Sequence, residues 1–442
     1  MTLIMQKDFK QYLFHACERG DVEIVKGLLS VMDGQDQDIY GRTPLNIACF
    51  AGHIEIVKFL LNDKRVDINK ADRYGWTPFY IACQNRQIET VKLLLNDERV
   101  DVNKINKDYK TPFWISCSYG HVEIVKVLLN DERINFNKAT FGRQTPFYIA
   151  CQLGRIEVVK LLLNERVDIN EADNYGATPL YVACENGHIE IVKLLLNDER
   201  VDINEGNNND ATPFYIACQL EHIEIVKILL NDNRVDINKG LDDGATPFYF
   251  ACQEGYIEIV KLLLNDKRVD VNKAENESRT PFWMACQEGH FEIVKLLLSD
   301  DRVDINQSHI DGSTPFLIAC REGHIEIVKI LLNDERVNPD KADDDGWTPF
   351  YITCQKRLIE IVELLLNDDR VDVNKAVSDF TPFYNACYNG HIEIVKLLLN
   401  DQRVDVNKET KNEGTPFYIA CEKGHIEIVL LFLENSRGTF FF

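Results

Sequence analysis

The sequence lacks any long apolar run. None of its hydrophobic segments approaches the ~18 residues that a membrane-spanning helix needs. The first ten residues, MTLIMQKDFK, also lack the apolar core of a secretory signal peptide. These two absences predict a protein of the cytoplasm, with the nucleus as an alternative, and no membrane span.

An excess of basic residues is missing as well. The chain has 49 Lys and Arg against 71 Asp and Glu, which gives a formal net charge of −22. Proteins that bind nucleic acid usually carry a basic patch or stripe, so the composition argues against a nucleic-acid partner. It favours solubility and allows basic protein partners.

The sequence also lacks clusters of cysteine or proline. Twelve of the thirteen prolines belong to Thr-Pro pairs that recur every 33 or 34 residues, with the threonines at positions 43, 77, 111, 145, 178, 212, 246, 280, 314, 348, 381 and 415. The thirteen cysteines follow the same period. This period predicts thirteen units in one array over residues 1–442, with a capping unit at about 8–32, repeats at about 33–434 and a tail at 435–442.

The cysteine spacing argues against disulfides and metal sites. If the units stack side by side, equivalent cysteines lie about 8–10 Å apart, whereas a disulfide needs Cα atoms closer than about 7 Å. Metal binding requires clustered ligands, and these cysteines are dispersed. We therefore interpret them as small buried residues in a reducing compartment and expect no cofactor.

Each unit has the pattern of two short helices. Thr77 caps the first helix, Pro78 suits its first position, and Phe79, Ala82 and Cys83 share one apolar face. A Gly-His pair usually ends it, and a second helix follows that is apolar nearly all round, as in IEIVKFLL. We then predict an extended RVDIN segment and a turn-forming loop.

These phrases resemble the ankyrin-repeat family. Thr-Pro-Phe-Tyr-Ile-Ala-Cys is similar to the family's signature, and so are Gly-His-x-Glu-Ile-Val-Lys-x-Leu-Leu and the following Asp-Ile/Val-Asn. The resemblance implies an all-α solenoid of antiparallel helix pairs joined by β-hairpin-like loops, with partners bound on its concave side. It also suggests asparagine hydroxylation. Tetratricopeptide repeats have the same period but lack the Thr-Pro start and the RVDIN segment.

Three kinds of polar residue repeat in fixed positions. We expect the arginine before Val-Asp to pair with nearby carboxylates, and the asparagine of each Asp-Ile/Val-Asn to bind loop backbone. We expect a structural hydrogen bond from the histidine after glycine, because no histidine has a catalytic constellation around it. Arg86, Glu221 and Arg357 replace the glycine between helices, which predicts strain there.

The remaining positions vary from unit to unit and are candidates for partner contact. They are the loop before each Thr-Pro and the two residues after each cysteine. Aromatic and basic residues at these positions form an early zone and a late zone, separated by polar, largely acidic loops. The predicted contact residues are Tyr74, Trp76, Tyr109, Lys110, Tyr119, Phe141 and Arg143 in the early zone, and Trp347, Phe380 and Tyr388 in the late zone.

The sequence thus predicts a non-enzymatic scaffold that binds other proteins. The alternative is a mechanical or spacer element, in which length matters more than surface chemistry. We expect a monomer, with Phe440, Phe441 and Phe442 either covering the last unit or mediating self-association.

Overall fold

The computed structural model describes residues 3–32, 34–411 and 413–435. Phe440, Phe441 and Phe442, for which we predict a covering or self-association role, lie outside the described residues. The described part of the chain contains 26 α-helices and no β-strand. It divides into two compact units, one that extends to Val235 and one that begins at Asp236.

The first compact unit contains fourteen helices. They are α1 (Leu3–Arg19), α2 (Val22–Leu29), α3 (Pro44–Ala51), α4 (Ile54–Asn62), α5 (Pro78–Gln84), α6 (Ile88–Leu95), α7 (Pro112–Tyr119), α8 (Val122–Leu129), α9 (Pro146–Gln152), α10 (Ile156–Leu163), α11 (Pro179–Glu185), α12 (Ile189–Leu196), α13 (Pro213–Gln219) and α14 (Ile223–Leu230).

The second compact unit contains twelve helices among its described residues. They are α15 (Pro247–Glu254), α16 (Ile257–Leu264), α17 (Pro281–Glu288), α18 (Phe291–Leu298), α19 (Pro315–Glu322), α20 (Ile325–Leu332), α21 (Pro349–Lys356), α22 (Ile359–Leu366), α23 (Pro382–Asn389), α24 (Ile392–Asn400), α25 (Pro416–Glu422) and α26 (Ile426–Glu434). Odd-numbered helices are called first helices below, and even-numbered ones second helices.

The two helices of each pair are too short to be stable alone, so neighbouring pairs stabilise one another. Within each compact unit, every first helix contacts its own second helix and the next first helix, and second helices contact in the same way. Phe79, Cys83, Val91 and Leu94 are 0–1% exposed. Burying each large apolar side chain contributes roughly 1.5–3 kcal/mol, which makes these contacts the main source of stability.

Threonine begins the first helices as predicted. Thr77 Oγ1 accepts a hydrogen bond from the backbone N–H of Tyr80 at 3.1 Å, and Pro78 occupies the first helical position. The residue between the two helices then has a left-handed backbone. This holds even where glycine is absent, since φ is 59° at Arg86, 53° at Glu221 and 61° at Arg357, so the expected strained conformation is present.

The prediction that the RVDIN segment is extended is wrong, because these residues form consecutive turns. In the segment from Arg65 to Asn69, Asp63 Oδ1 accepts from the N–H of Arg65 at 3.0 Å, and Asp67 Oδ1 accepts from the N–H of Asn69 at 3.0 Å. These side chains bend the backbone locally. The alternation of apolar and polar residues still holds, since Val66 and Ile68 are buried.

The repeated arginines bind two partners. Arg133 Nη2 donates to Asp131 Oδ2 at 2.6 Å and to the carbonyl oxygen of Leu95, in the preceding repeat, at 2.8 Å. The predicted carboxylate pairing is confirmed for ten arginines, each with the aspartate two residues earlier: Arg65, Arg99, Arg133, Arg200, Arg234, Arg268, Arg302, Arg336, Arg370 and Arg403. Arg166 differs because Asn164 occupies that aspartate position.

The repeated histidines also join neighbouring repeats, which confirms their structural role. Nε2 of His188 donates to the carbonyl oxygen of Gln152 at 2.9 Å. The same bond to the preceding repeat is made by His53, His121, His222, His290, His324 and His425. Gln87 and Arg155 make an equivalent bond in their repeats. Other side chains that donate from this position can therefore replace histidine in joining the repeats.

Candidate partner-binding site

The variable loops before Thr-Pro are rigidly built hairpin tips. Asp72 Oδ1 accepts from the backbone N–H groups of Tyr74 and Trp76, both at 2.9 Å, and Gly75 supplies a left-handed residue with φ 81°. The N–H of Lys107 in the next tip donates to the carbonyl oxygen of Tyr74 at 3.1 Å. These bonds fix the directions in which the tip side chains project.

Three strongly exposed aromatic side chains of the early zone lie on its hairpin tips. Tyr74, Tyr109 and Phe141 are 53%, 48% and 78% exposed. The rings of Tyr109 and Phe141 lie 5.8 Å apart although they belong to adjacent hairpins. Trp76 is half-buried, with its ring 5.1 Å from that of Tyr74 and 6.0 Å from that of Tyr80. The structure therefore brings predicted contact residues together in pairs.

A cleft of about 250 Å³ opens beside Tyr74 and Trp76. Its wall also includes Tyr40 and Phe50, which the sequence analysis did not select. Phe50 directly follows Cys49, one of the variable positions, and is 52% exposed. Its position directly after the cysteine could therefore have identified Phe50 as a candidate contact residue from the sequence.

The other early residues have partners within the protein. The Lys110 ammonium lies 4.8 Å from the centre of the Trp114 ring, and Arg143 pairs with Glu171 at 2.7 Å. The ring of Tyr119 stacks on that of His121 at 5.5 Å and remains half-exposed. Of this set, Tyr119 therefore offers the most accessible apolar surface.

The late zone surrounds a second cleft. Phe380 and Tyr388 line a space of about 290 Å³ together with Tyr384, Asn385 and Glu413. Tyr388 is 40% exposed, whereas Phe380 is half-buried. Trp347 is not among the lining residues and instead contacts Tyr351 edge-on, with ring centres 5.1 Å apart.

A model of the family described as ankyrin repeats, three copies, matches the sequence repeatedly, at residues 13–106, 98–173, 165–240, 233–309, 301–379 and 372–440. The chain belongs to the ankyrin-repeat family. A search of curated proteins gives no significant match. Ankyrin repeats are in general non-enzymatic protein–protein interaction modules. The loops before Thr-Pro and the residues after each cysteine, which vary between repeats, are therefore the candidate contact surface.

The ankyrin hairpins carry further exposed apolar residues that the sequence analysis missed. Tyr175 occupies the same hairpin position as Tyr74 and is 76% exposed, and Ile310 is 67% exposed. Leu153 and Leu220, both in the second position after a cysteine, are also exposed. Comparing equivalent positions of the repeats identifies Tyr175, Leu153 and Leu220, because each falls in a variable position already defined.

Reactive groups are suppressed inside the ankyrin repeats. Burial raises the pKa of Cys83 and the other buried thiols far above the physiological range. The Tyr148 hydroxyl donates to Asp173 Oδ2 at 2.9 Å, and burial followed by this bond raises the pKa of Tyr148. Within the described ranges, no three potential metal ligands come together and no helix is long and apolar enough to cross a membrane.

Proposed function

We propose that this ankyrin-repeat chain is a non-enzymatic scaffold that binds partner proteins through its hairpin tips and first helices. In ankyrin arrays in general, the hairpin tips and first helices form the concave side. The main support is the exposure of Tyr74, Tyr109 and Phe141 on hydrogen-bonded tips. Tyrosine and tryptophan are frequent energetic anchors of protein interfaces, and a rigid tip loses little conformational freedom when it binds.

The proposal extends to the state and location of the chain. We propose one array, because the Thr-Pro period continues through residues 235 and 236 without interruption. All thirteen cysteines are free, which supports a reducing compartment such as the cytoplasm. We expect a monomer that needs no cofactor, and sedimentation of the purified chain tests its oligomeric state.

The test is partner capture by a triple variant, Tyr74→Ser, Tyr109→Ser and Phe141→Ser. We choose Tyr74 rather than Trp76 because Trp76 is half-buried and its loss would affect folding. The tagged variant and the unchanged chain are used to purify bound proteins from native cells. We expect the variant to fold normally and to lose one or more specific partners.

A matched control removes apolar side chains of similar fractional exposure elsewhere. Ile24, Val31 and Leu433 are 53%, 65% and 57% exposed and lie outside the hairpin tips. Their triple change to serine should leave capture intact. Identical partners for both triple variants would contradict binding at the early zone. A function that depends on the number of repeats but tolerates changed tips would favour the spacer alternative.

A further inference from the structure

The late cleft is built from two hairpins and one first helix. Phe380 precedes Thr381 in one hairpin, Glu413 lies in the next, and Tyr384, Asn385 and Tyr388 belong to α23. The cleft therefore combines aromatic walls with a carboxylate at its edge. Its volume of about 290 Å³ is suited to a single extended side chain rather than to a folded element.

The carboxylate is held in place by a buried tyrosine. The Tyr384 hydroxyl donates to Glu413 Oε2 at 3.1 Å. Burial, followed by the bond to Glu413, raises the pKa of Tyr384, so this hydroxyl stays protonated and remains a donor. Glu413 Oε1 receives no hydrogen bond from the described residues, and Glu413 is exposed. One carboxylate oxygen of this exposed side chain is thus held by Tyr384, which leaves the other able to accept a further hydrogen bond.

The ring on the other side of the cleft already attracts a cation. Lys423 Nζ lies 4.6 Å from the centre of the Tyr388 ring. An ammonium at this distance is attracted by the negative face of the ring. The Lys423 and Tyr388 side chains are both exposed, so the lysine can move off the ring without disturbing the packing of the core. The contact shows what chemistry the ring face accepts.

We infer that this cleft binds an arginine or lysine side chain of a basic protein segment. The apolar stem would lie against Phe380, the cation would take the place of Lys423 over Tyr388, and Glu413 Oε1 would accept its hydrogen bond. The net charge of −22 favours the approach of a basic segment and disfavours an acidic or phosphorylated one. This inference rests on the proposed protein-binding function and specifies the partner chemistry at one of its zones.

The first experiment selects random dodecapeptides on the full chain and retests each binder on the Tyr388→Ser and Glu413→Gln chains. We expect binders that depend on both residues to contain Arg or Lys. Replacing that residue by norleucine should weaken binding about tenfold, the loss expected when a partly desolvated cation loses its ring and carboxylate partners. Cleft-dependent binders that tolerate norleucine, or the absence of any cleft-dependent binder, would overturn the inference.

The second experiment uses Lys423→Gln. If the partner's cation replaces Lys423, removing this competing charge should strengthen binding of the basic peptides severalfold. The matched control is Lys396→Gln on α24, which removes the same charge from an exposed pair with Glu393 outside the cleft and should leave binding unchanged. Weaker or unchanged binding by Lys423→Gln would contradict cation binding on the Tyr388 ring.

Protein binding by the chain and binding of a basic side chain at the late cleft can be disproved separately. Loss of partners by the Tyr74, Tyr109 and Phe141 variant, together with peptides that ignore the late cleft, would reject the basic-segment inference alone. Partner capture that is insensitive to both zones would reject the proposed function as well. Thermal unfolding of the Tyr388→Ser and Glu413→Gln chains should match that of the unchanged chain, since both side chains are exposed.

Discussion

Asn103 Nδ2 donates a hydrogen bond to the carbonyl oxygen of Arg133, 2.6 Å away and thirty residues later in the chain. Its Oδ1 accepts from the N–H of Asn135 at 2.8 Å. One amide therefore satisfies a donor and an acceptor of the next repeat. This confirms that the asparagines bind backbone, and it shows that the bonds join neighbouring repeats. Both bonds recur at Asn137, Asn170, Asn238, Asn272 and Asn374.

Asn103→Ala should lower the free energy of unfolding by about 1–2 kcal/mol, because two inter-repeat hydrogen bonds are lost. Asn130→Ala is the matched control, since the Asn130 amide bonds only locally, to the carbonyl oxygen of Lys126 at 3.0 Å. Urea unfolding followed by circular dichroism measures both. Equal effects of the two changes would contradict a role in joining repeats.

Glu221→Gly should raise stability by about 1 kcal/mol, because Glu221 holds a left-handed backbone that glycine adopts without strain. Gly187→Ala tests the converse. Its φ is 72°, and an added Cβ would lie 3.3 Å from the His222 ring, so it should cost about the same amount. Hydrogen exchange at the two joints locates the effect. Equal protection at Glu221 and at glycine-bearing joints would argue against local strain.

His391 should make stability depend on pH. Burial, followed by the positive charge of Arg357, lowers the pKa of His391 below its ordinary 6.5. The unfolded chain then binds the proton more tightly. The stability that His391 contributes is complete above 6.5, and it is lost as the pH falls through that value to the lowered folded one.

His391→Gln should reduce the loss of stability between about pH 7.5 and about pH 5.5. Glutamine suits this position because Gln87 Nε2 donates to the carbonyl oxygen of Phe50 at 3.0 Å in the equivalent bond. The urea midpoints of both chains at the two pH values provide the measurement. The same pH dependence in variant and unchanged chain would show that His391 is not the titrating group.

Thiol labelling should distinguish Cys421 from the other twelve cysteines. Cys421 is exposed, whereas the others are buried, and burial raises the pKa of Cys17 to about 12. Native protein should react rapidly with one equivalent of a thiol reagent, and Cys421→Ser with none. Unfolded protein should expose all thirteen. Rapid reaction of several native thiols would mean that the repeats open readily.

Much of the fold was predictable because each repeat encodes it locally. Thr-Pro specifies where a first helix starts through capping and a restricted backbone, and the apolar spacing of Phe79, Ala82 and Cys83 specifies its buried face. The repetition of the phrase at constant spacing then indicated stacked helix pairs. The RVDIN segment was mispredicted because its β-type residues favour an extended backbone. The side chains of Asp63 and Asp67 instead accept hydrogen bonds from the backbone two residues later, and these bonds bend the chain into turns.

The sequence by itself determined the repeats, their helices and the positions that are free to vary. Only the tertiary structure decided that Tyr109 meets Phe141, that Trp76 is half-buried beside an exposed Tyr74, and that Lys423 covers the Tyr388 ring. Helix periodicity arises from neighbours a few residues apart, so the sequence displays it directly. Contacts such as Tyr109 with Phe141 and Lys423 with Tyr388 join residues of different repeats, and the burial of Trp76 also depends on its surroundings, so these features are set only when the repeats pack together.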